Sequence, residues 1–259
     1  MNEKSCTYWI KLYWLGAMTQ MLVVCVALFS LRLFKIAYPP FLNLVFLAIG
    51  GTSSAVWGVI VSKKSNRVNT YKEIFFDFFA VKQPIRYYGL ALIFLTILFG
   101  VSIFTGKTLE GVMWYTFPIC FIQAIVFGGI EEIGWRYTFQ PLLEKKMPYE
   151  AASIMTLLSW GLWHYLYFYI TDSISNIEHL TFLLGLAVSC FVLGAIYQLT
   201  HSLWLCVLYH CLLNTFSQTL EPNGKVWGIM SSVICILLAI AVVRKQEMKE
   251  QHRYGSDRT

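Results

Sequence analysis

The sequence of 259 residues predicts an all-α fold, a polytopic bundle of transmembrane helices. Only 13% of the residues are charged and 57% are hydrophobic, whereas soluble domains carry roughly 25% charged residues. The mean hydropathy is +0.59, and apolar runs close to the roughly 20 residues that a bilayer requires recur along the chain. We therefore expect a single transmembrane bundle over residues 1–243, followed by a charged cytoplasmic tail over residues 244–259.

Eight apolar runs are candidate transmembrane helices. Their approximate limits are 12–33, 41–62, 87–104, 112–131, 151–170, 180–199, 203–219 and 226–243. After the second run, the segment Tyr71–Lys82 mixes aromatic and charged residues, which is typical of a helix on the inner membrane surface. A helical collar that packs on the bundle without contacting lipid explains this segment equally well.

The basic residues indicate the orientation of the bundle. If the N-terminus is cytoplasmic, only Arg32, Lys35, Lys107 and Lys225 of the 20 Lys and Arg residues fall in outer segments. Cytoplasmic loops are enriched in Lys and Arg, so both termini are predicted to be cytoplasmic. The net charge of +6 is therefore interpreted as a signal of orientation in the bilayer, and no nucleic-acid partner is expected. The predicted location is the plasma (cytoplasmic) membrane, which the chain crosses several times. The membrane of the endoplasmic reticulum is the alternative location.

The seven cysteines are predicted to be buried free thiols. They form no CxxC pair, and most lie within apolar runs, where a thiol packs as a small hydrophobic group. Their positions are 6, 25, 120, 190, 206, 211 and 235.

An acidic motif, Glu131-Glu132-x-x-x-Arg136, stands at the end of the fourth apolar run. Glu132 and Arg136 are four residues apart, so they can pair on one helix face. Glu131 points about 100° away from Glu132 and is free to face elsewhere. Ionisable groups at membrane depth cost roughly 2.5–3.5 kcal/mol on insertion scales and usually mark function. A salt-bridge cluster at the helix end is the alternative interpretation.

Two histidine motifs follow in later apolar runs, Trp160-x-x-x-His164 and His210-x-x-x-Asn214. His164 has aromatic neighbours, and considered alone it is typical of a buried structural histidine. His210 and Asn214 share one helix face because they are four residues apart. Such a pair can equally stabilise helix packing through interhelical hydrogen bonds.

Together, the three motifs supply what amide hydrolysis needs. A carboxylate can accept a proton from water, and a histidine can orient that water. A second histidine and an amide N–H can stabilise the oxyanion of a tetrahedral intermediate. The same glutamate and two histidines can instead ligate zinc with one position open to water. The HExxH, GxSG and GxGD motifs of other intramembrane proteases are absent from the sequence.

The three motifs, in this order on successive hydrophobic helices, resemble those of the CPBP family. These are the CAAX-protease and bacteriocin-processing membrane proteins, also called the ABI family, which includes the type II CAAX prenyl endopeptidases. The motif-bearing region runs from about residue 117 to residue 218. The first three predicted spans carry no part of the resemblance.

The resemblance implies a role for each motif residue. Glu131 corresponds to the catalytic glutamate that activates water, and His164 corresponds to the histidine that assists it. His210 and Asn214 correspond to the pair that binds the oxyanion. The supporting positions are Glu132 and Arg136.

The resemblance leaves the cofactor open, because both a metalloprotease mechanism and a glutamate-and-water mechanism are considered for the family. If zinc is bound, Glu131, His164 and His210 are its expected ligands; otherwise no cofactor is expected. Trp160 departs from the family, which usually has Phe at this position. Aromatic bulk is kept, so activity is expected to be retained.

The favoured function is an intramembrane endopeptidase, a hydrolase that cleaves a peptide near the inner membrane face. Its substrate would be a prenylated CAAX tail, a pheromone or bacteriocin precursor, or another membrane protein. The alternatives are a non-catalytic membrane scaffold or bacteriocin-immunity protein, and a transporter that uses the buried charges as a translocation path. The sequence has no evident inverted repeat, which disfavours the transporter. It does not predict an oligomeric state.

Overall fold

The computed structural model describes residues 3–256 of the chain. Within this range the chain forms helices and connecting segments without any β-strand, and Thr108 and Leu220 form an isolated antiparallel bridge between two connections. The all-α prediction is therefore confirmed. Residues 257–259 of the predicted tail lie outside the described range.

Twelve α-helices form in the described part of the chain. They are α1 (Glu3–Leu33), α2 (Phe41–Gly51), α3 (Ser53–Lys64), α4 (Tyr71–Phe78), α5 (Ile85–Thr105), α6 (Thr116–Ala124), α7 (Glu131–Gly134), α8 (Gln140–Glu144), α9 (Tyr149–Ile170), α10 (His179–Thr200), α11 (Leu203–Thr219) and α12 (Lys225–Ser256). Two π-helical turns, Ile125–Gly129 and Trp135–Phe139, flank α7, and a short 3₁₀-helix covers Ile174–Asn176.

Six helical stretches of the described chain are long and apolar enough to cross a membrane. They are Ser5–Leu33, Phe41–Lys64, Ile85–Thr105, Thr116–Glu144, His179–Thr200 and Lys225–His252. All eight predicted runs are helical, but α9 and α11 are not among the six. The count of eight spans is therefore not confirmed, and the orientation of the termini stays a prediction.

Helices α9 and α11 carry the histidine motifs, and their composition and length explain why they differ from the six apolar stretches. Helix α11 has only 17 residues, and α9 is rich in Trp and Tyr and contains His164. Each packs against other helices: α9 contacts α1, α2 and α10, and α11 contacts α5, α6 and α10.

The sequence suggested that the acidic motif ends its helix, but the structure shows that the helix continues beyond it. The helical stretch continues from Thr116 to Glu144, so Glu131 and Glu132 lie near its middle. Two π turns lie within the stretch and do not end it. The run predicted from hydropathy ended at residue 131 because polar residues begin there. The motif is therefore placed deep in the bundle.

Glycines let α3 approach this stretch backbone to backbone. A Cβ atom on Gly134 would lie 2.4 Å from the carbonyl oxygen of Ser54, and one on Gly58 would lie 2.6 Å from the carbonyl oxygen of Ile133. Contacts this short exclude a side chain at either glycine. Close packing by α3 thereby fixes the position of α7, which carries the two glutamates.

Helix α4 has one face on the bundle and the other exposed. Ile74 and Phe78 are buried, whereas Phe75 and Phe76 are exposed, as is Phe79 just after the helix. Tyr137 donates a hydrogen bond of 2.7 Å to Asp77 and so ties α4 to the second π turn. An amphipathic helix with exposed aromatic residues fits both the interfacial helix and the packed collar considered from the sequence.

All seven cysteines are free, as predicted. Six are buried, and Cys120 is half-buried. Helix α12 continues through Ser256, so the described part of the predicted tail, residues 244–256, extends the last helix. Its assignment as a separate cytoplasmic segment stays a prediction.

Candidate active site

The two glutamates lie on α7, a single turn of α-helix between two π turns. π-Helical turns are rare and are frequently found at functional sites, because the extra residue per turn changes which side chains face a neighbouring helix. Both carboxylates are buried: Glu131 is 5% exposed and Glu132 is 0% exposed.

Glu132 binds two partners from different parts of the chain. Its Oε1 atom lies 2.6 Å from Nδ1 of His210 and 3.5 Å from Nη1 of Arg136. The predicted pairing with Arg136 is therefore present, but the histidine is the closer partner. A buried carboxylate that contacts a guanidinium and an imidazole has opposite charge beside it, which offsets part of its desolvation cost.

Arg136 is completely buried and contacts three helices. Besides Glu132, its Nη2 donates a hydrogen bond of 3.2 Å to the carbonyl oxygen of Ser189 on α10. Its guanidinium carbon lies 4.1 Å from the centre of the Trp160 ring on α9. A guanidinium over an indole face is stabilised by the ring quadrupole, more so when both groups are desolvated. Arg136 thus links the acidic motif to α9 and α10.

Glu131 faces away from its neighbour, as the helical geometry predicted. Its Oε2 accepts a hydrogen bond of 2.7 Å from Nε1 of Trp160. The two adjacent carboxylates therefore differ in surroundings: one is held by two cationic or ionisable groups, and the other is held by an indole N–H.

His164 is half-buried on α9, one turn beyond Trp160. Its Nδ1 lies 2.9 Å from the carbonyl oxygen of Trp160. A carbonyl oxygen only accepts hydrogen bonds, so Nδ1 carries a proton in this geometry and Nε2 of the neutral ring is an acceptor. The ring also packs against Trp160, with ring centres 5.1 Å apart.

His210 and Asn214 converge on Gly128 in the first π turn. A Cβ atom on Gly128 would lie 2.6 Å from Nδ2 of Asn214 and 3.2 Å from Nε2 of His210. The space that a side chain would occupy is thus faced by an amide nitrogen and an imidazole nitrogen. Gly128 precedes Glu131 by three residues, about one helical turn along the backbone of the same stretch.

The expected zinc ligands do not form a metal-binding set in this structure. Among residues 3–256, no three His, Cys, Asp or Glu side chains are grouped closely enough to hold a metal ion. Glu131, His164 and His210 are therefore not grouped as a zinc site in this arrangement, and the use of a metal stays a prediction.

Sequence reasoning missed two contributors to the site. Trp160 was recognised only as aromatic bulk, although its position one turn before His164 places its backbone and ring beside that histidine. Gly128 was not singled out, although a Gly-Gly pair inside an apolar helical run is a signal of close helix packing. The Nδ1 atom of His179, outside this site, pairs with the hydroxyl of Tyr165 at 3.0 Å.

The described chain combines six apolar helical stretches with a polar cluster in which Glu131, Glu132, Arg136 and His210 are buried and His164 and Asn214 are half-buried. These features define a multi-pass membrane protein with a polar site inside its helix bundle. Residues 113–216 match the family described as Rce1-like, type II CAAX prenyl endopeptidase. This match confirms the resemblance to the CAAX-protease and bacteriocin-processing proteins and indicates a membrane protease. None of the curated proteins compared with the chain matches it.

Proposed function

We propose that this protein is an intramembrane endopeptidase in which Glu131 activates water. The observation that carries the proposal is the cradle at Gly128, which an amide nitrogen and an imidazole nitrogen face, three residues before the buried Glu131 on the same helical stretch. A proton acceptor and hydrogen-bond donors for the oxyanion are the groups that hydrolysis of a peptide bond requires.

Glu131 is the general base of the proposed reaction. Trp160 binds its Oε2, so Oε1 is the oxygen assigned to take a proton from water. Nε2 of His164, the acceptor nitrogen of the neutral ring, accepts a hydrogen bond from the second O–H of that water and so orients it. The water oxygen then attacks the carbonyl carbon of the scissile bond, and the proton held by Glu131 passes to the leaving amine.

His210 and Asn214 stabilise the oxyanion of the tetrahedral intermediate. Nδ2 of Asn214 is a donor in any protonation state of the site. When Nδ1 of His210 donates to the Glu132 carboxylate at 2.6 Å, Nε2 donates from the doubly protonated ring, and that carboxylate supplies the counter-charge. Glu132 therefore supports the reaction through His210 and does not contact the substrate.

An open apolar groove beside the site suits the lipid chain of a substrate. The groove has a volume of about 490 Å³ and lies between α4 and the helical stretch that carries the glutamates. Ile74, Phe75 and Phe78 line one wall, and Ile125 and Ile130 line the other. Ile130 directly precedes Glu131, so the groove and the carboxylate belong to neighbouring faces of the same helical stretch. A prenylated C-terminal tail is the substrate proposed, with peptide precursors as the second class.

The proposed location is the cytoplasmic membrane, with the substrate entering from the cytoplasmic side. The concentration of Lys and Arg in the segments assigned to that side supports this placement.

The alternative is a non-catalytic scaffold or immunity protein that binds its partner without cleaving it. A scaffold needs buried hydrogen bonds such as that between Glu132 and His210 for helix packing, but it does not need the cradle at Gly128. The two functions also differ at Glu131: the endopeptidase needs its carboxylate as a proton acceptor, and the scaffold does not.

The deciding experiment compares the purified wild-type protein with Glu131→Gln on a quenched farnesylated CAAX peptide and a panel of leader peptides, with and without a chelator. Gln keeps the size and accepts the hydrogen bond from Trp160 but is a poor proton acceptor, so cleavage is expected to fall at least about 10²-fold. Glu110→Gln, at an exposed glutamate between α5 and α6, is the matched control and is expected to cleave normally.

Each outcome assigns the function differently. Full cleavage by Glu131→Gln overturns the proposed base, and cleavage by neither protein favours the scaffold. Preference for the farnesylated peptide over the leader peptides selects the prenylated substrate. Loss of activity with the chelator would assign a metal to the reaction.

A further inference from the structure

Trp160 lies at the centre of the candidate site. Its side chain is 1% exposed and is one of the largest fully buried groups of the described chain. It contacts Glu131, Arg136, His164 and His210, which belong to three different helical segments. Such a set of contacts is unusual for a residue whose only task is to fill space.

Each part of Trp160 has a different partner. The indole Nε1–H donates to Oε2 of Glu131 at 2.7 Å, and the ring face lies 4.1 Å from the guanidinium carbon of Arg136. The ring meets that of His210 edge to face, with centres 5.5 Å apart. The backbone carbonyl oxygen accepts the hydrogen bond of His164.

The hydrogen bond to Glu131 has a consequence that aromatic bulk does not provide. A carboxylate rotates about its last side-chain bond unless a donor holds one oxygen. An N–H donor at 2.7 Å from an ionised oxygen is at the short end of the range for a charge-assisted bond. With Oε2 held in this way, Oε1 has a defined direction for accepting a proton from water.

We propose that Trp160 is a positioning residue that orients the carboxylate of Glu131 through its indole N–H. The proposal rests on the function proposed above, and it predicts that the N–H is needed in addition to the ring. A residue that serves only packing would need the ring alone.

The test replaces Trp160 with Phe, which keeps an aromatic ring and removes the donor. We expect kcat on the cleaved peptide to fall about tenfold while KM stays within about twofold, because the carboxylate is misoriented and the groove is unchanged. Trp57→Phe is the matched control. Trp57 is half-buried, and its Nε1 donates to Gln20 at 3.1 Å, away from the site. This control is expected to keep the wild-type kcat and KM.

A Trp160→Phe protein with the wild-type kcat overturns the proposal. An equal fall of kcat in Trp160→Phe and Trp57→Phe also overturns it, because loss of packing would then explain both. An increase in KM without a change in kcat would assign Trp160 to substrate binding and not to orientation of the base.

A second measurement keeps this inference separate from the proposed function. The ultraviolet resonance Raman difference between wild type and Trp160→Phe isolates the indole N–H band of Trp160 from the other eight of the nine tryptophans. In the Glu131→Gln protein, that band is expected to shift toward a weaker hydrogen bond, since an amide oxygen is a weaker acceptor than a carboxylate. An unchanged band overturns the positioning role, whether or not any peptide is cleaved.

Discussion

Nδ1 of His210 lies 2.6 Å from Oε1 of Glu132, although the two residues are 78 positions apart in the sequence. The same carboxylate oxygen is 3.5 Å from Arg136. This relationship separates the surroundings of the two adjacent glutamates. Glu132 holds the imidazole that faces the cradle at Gly128, and Glu131 accepts a hydrogen bond from the indole of Trp160.

Glu132→Gln is expected to weaken both the fold and the reaction. Removing the carboxylate leaves the buried guanidinium of Arg136 without its counter-charge, and breaking a buried pair in this way costs about 3–5 kcal/mol of unfolding free energy. It also removes the counter-charge of the doubly protonated His210 ring. Thermal unfolding in detergent measures the first effect, and kcat on the cleaved peptide measures the second.

Glu150→Gln is the control for this prediction, because Glu150 is also paired with an arginine, Arg244, at 2.7 Å. The Arg244 side chain is 66% exposed, so this pair is expected to contribute only about 0–1 kcal/mol. Equal stability losses in the two variants would contradict the different burial assigned to the two ion pairs.

Gly128→Ala is expected to lower kcat without unfolding the protein. The added methyl group would lie 2.6 Å from Nδ2 of Asn214, so the amide must move out of the cradle. Loss of one oxyanion donor costs about 10²–10³-fold in kcat. Steady-state kinetics on the wild-type substrate measures the change.

Gly89→Ala is the matched control, since a Cβ atom at Gly89 on α5 meets nothing within 4 Å. This substitution is expected to keep full activity and to stabilise the helix by about 0.5–1 kcal/mol. A Gly128→Ala protein as active as the control would remove the cradle from the mechanism.

Val126→Trp is expected to obstruct the apolar groove and to discriminate between substrates. Val126 lines the groove, and a larger side chain there takes up space assigned to the lipid chain. We expect KM for a farnesylated peptide to rise about tenfold, which corresponds to a loss of about 1.4 kcal/mol of binding free energy. Cleavage of a peptide without a lipid chain is expected to be unchanged.

Val101→Trp on α5 is the control, because Val101 is also exposed but is not among the residues that line the groove. If Val126→Trp and the wild type bind the farnesylated peptide equally well, the groove does not hold the lipid chain. A rise in KM for both kinds of peptide would place the peptide itself in the groove.

Local features of the fold and the site were predictable from the sequence, because they depend on composition and on contacts within one helix. Composition predicted the all-α membrane bundle, and all eight apolar runs are helical. The spacing of four residues predicted the contact between Glu132 and Arg136. The number of spans was less predictable. Helix α9 is less apolar than the six stretches and α11 is shorter, and both pack against other helices.

The sequence by itself determined the class of protein, the three motifs and the pairs that lie within one helix, because hydropathy and helical periodicity are local properties. Tertiary structure alone decided that His210 binds Glu132, that Trp160 binds Glu131, and that Asn214 faces Gly128. These contacts join residues on different helical segments, so they depend on how the helices pack. The π turns around α7 contribute as well, since they set which side of the stretch each glutamate faces.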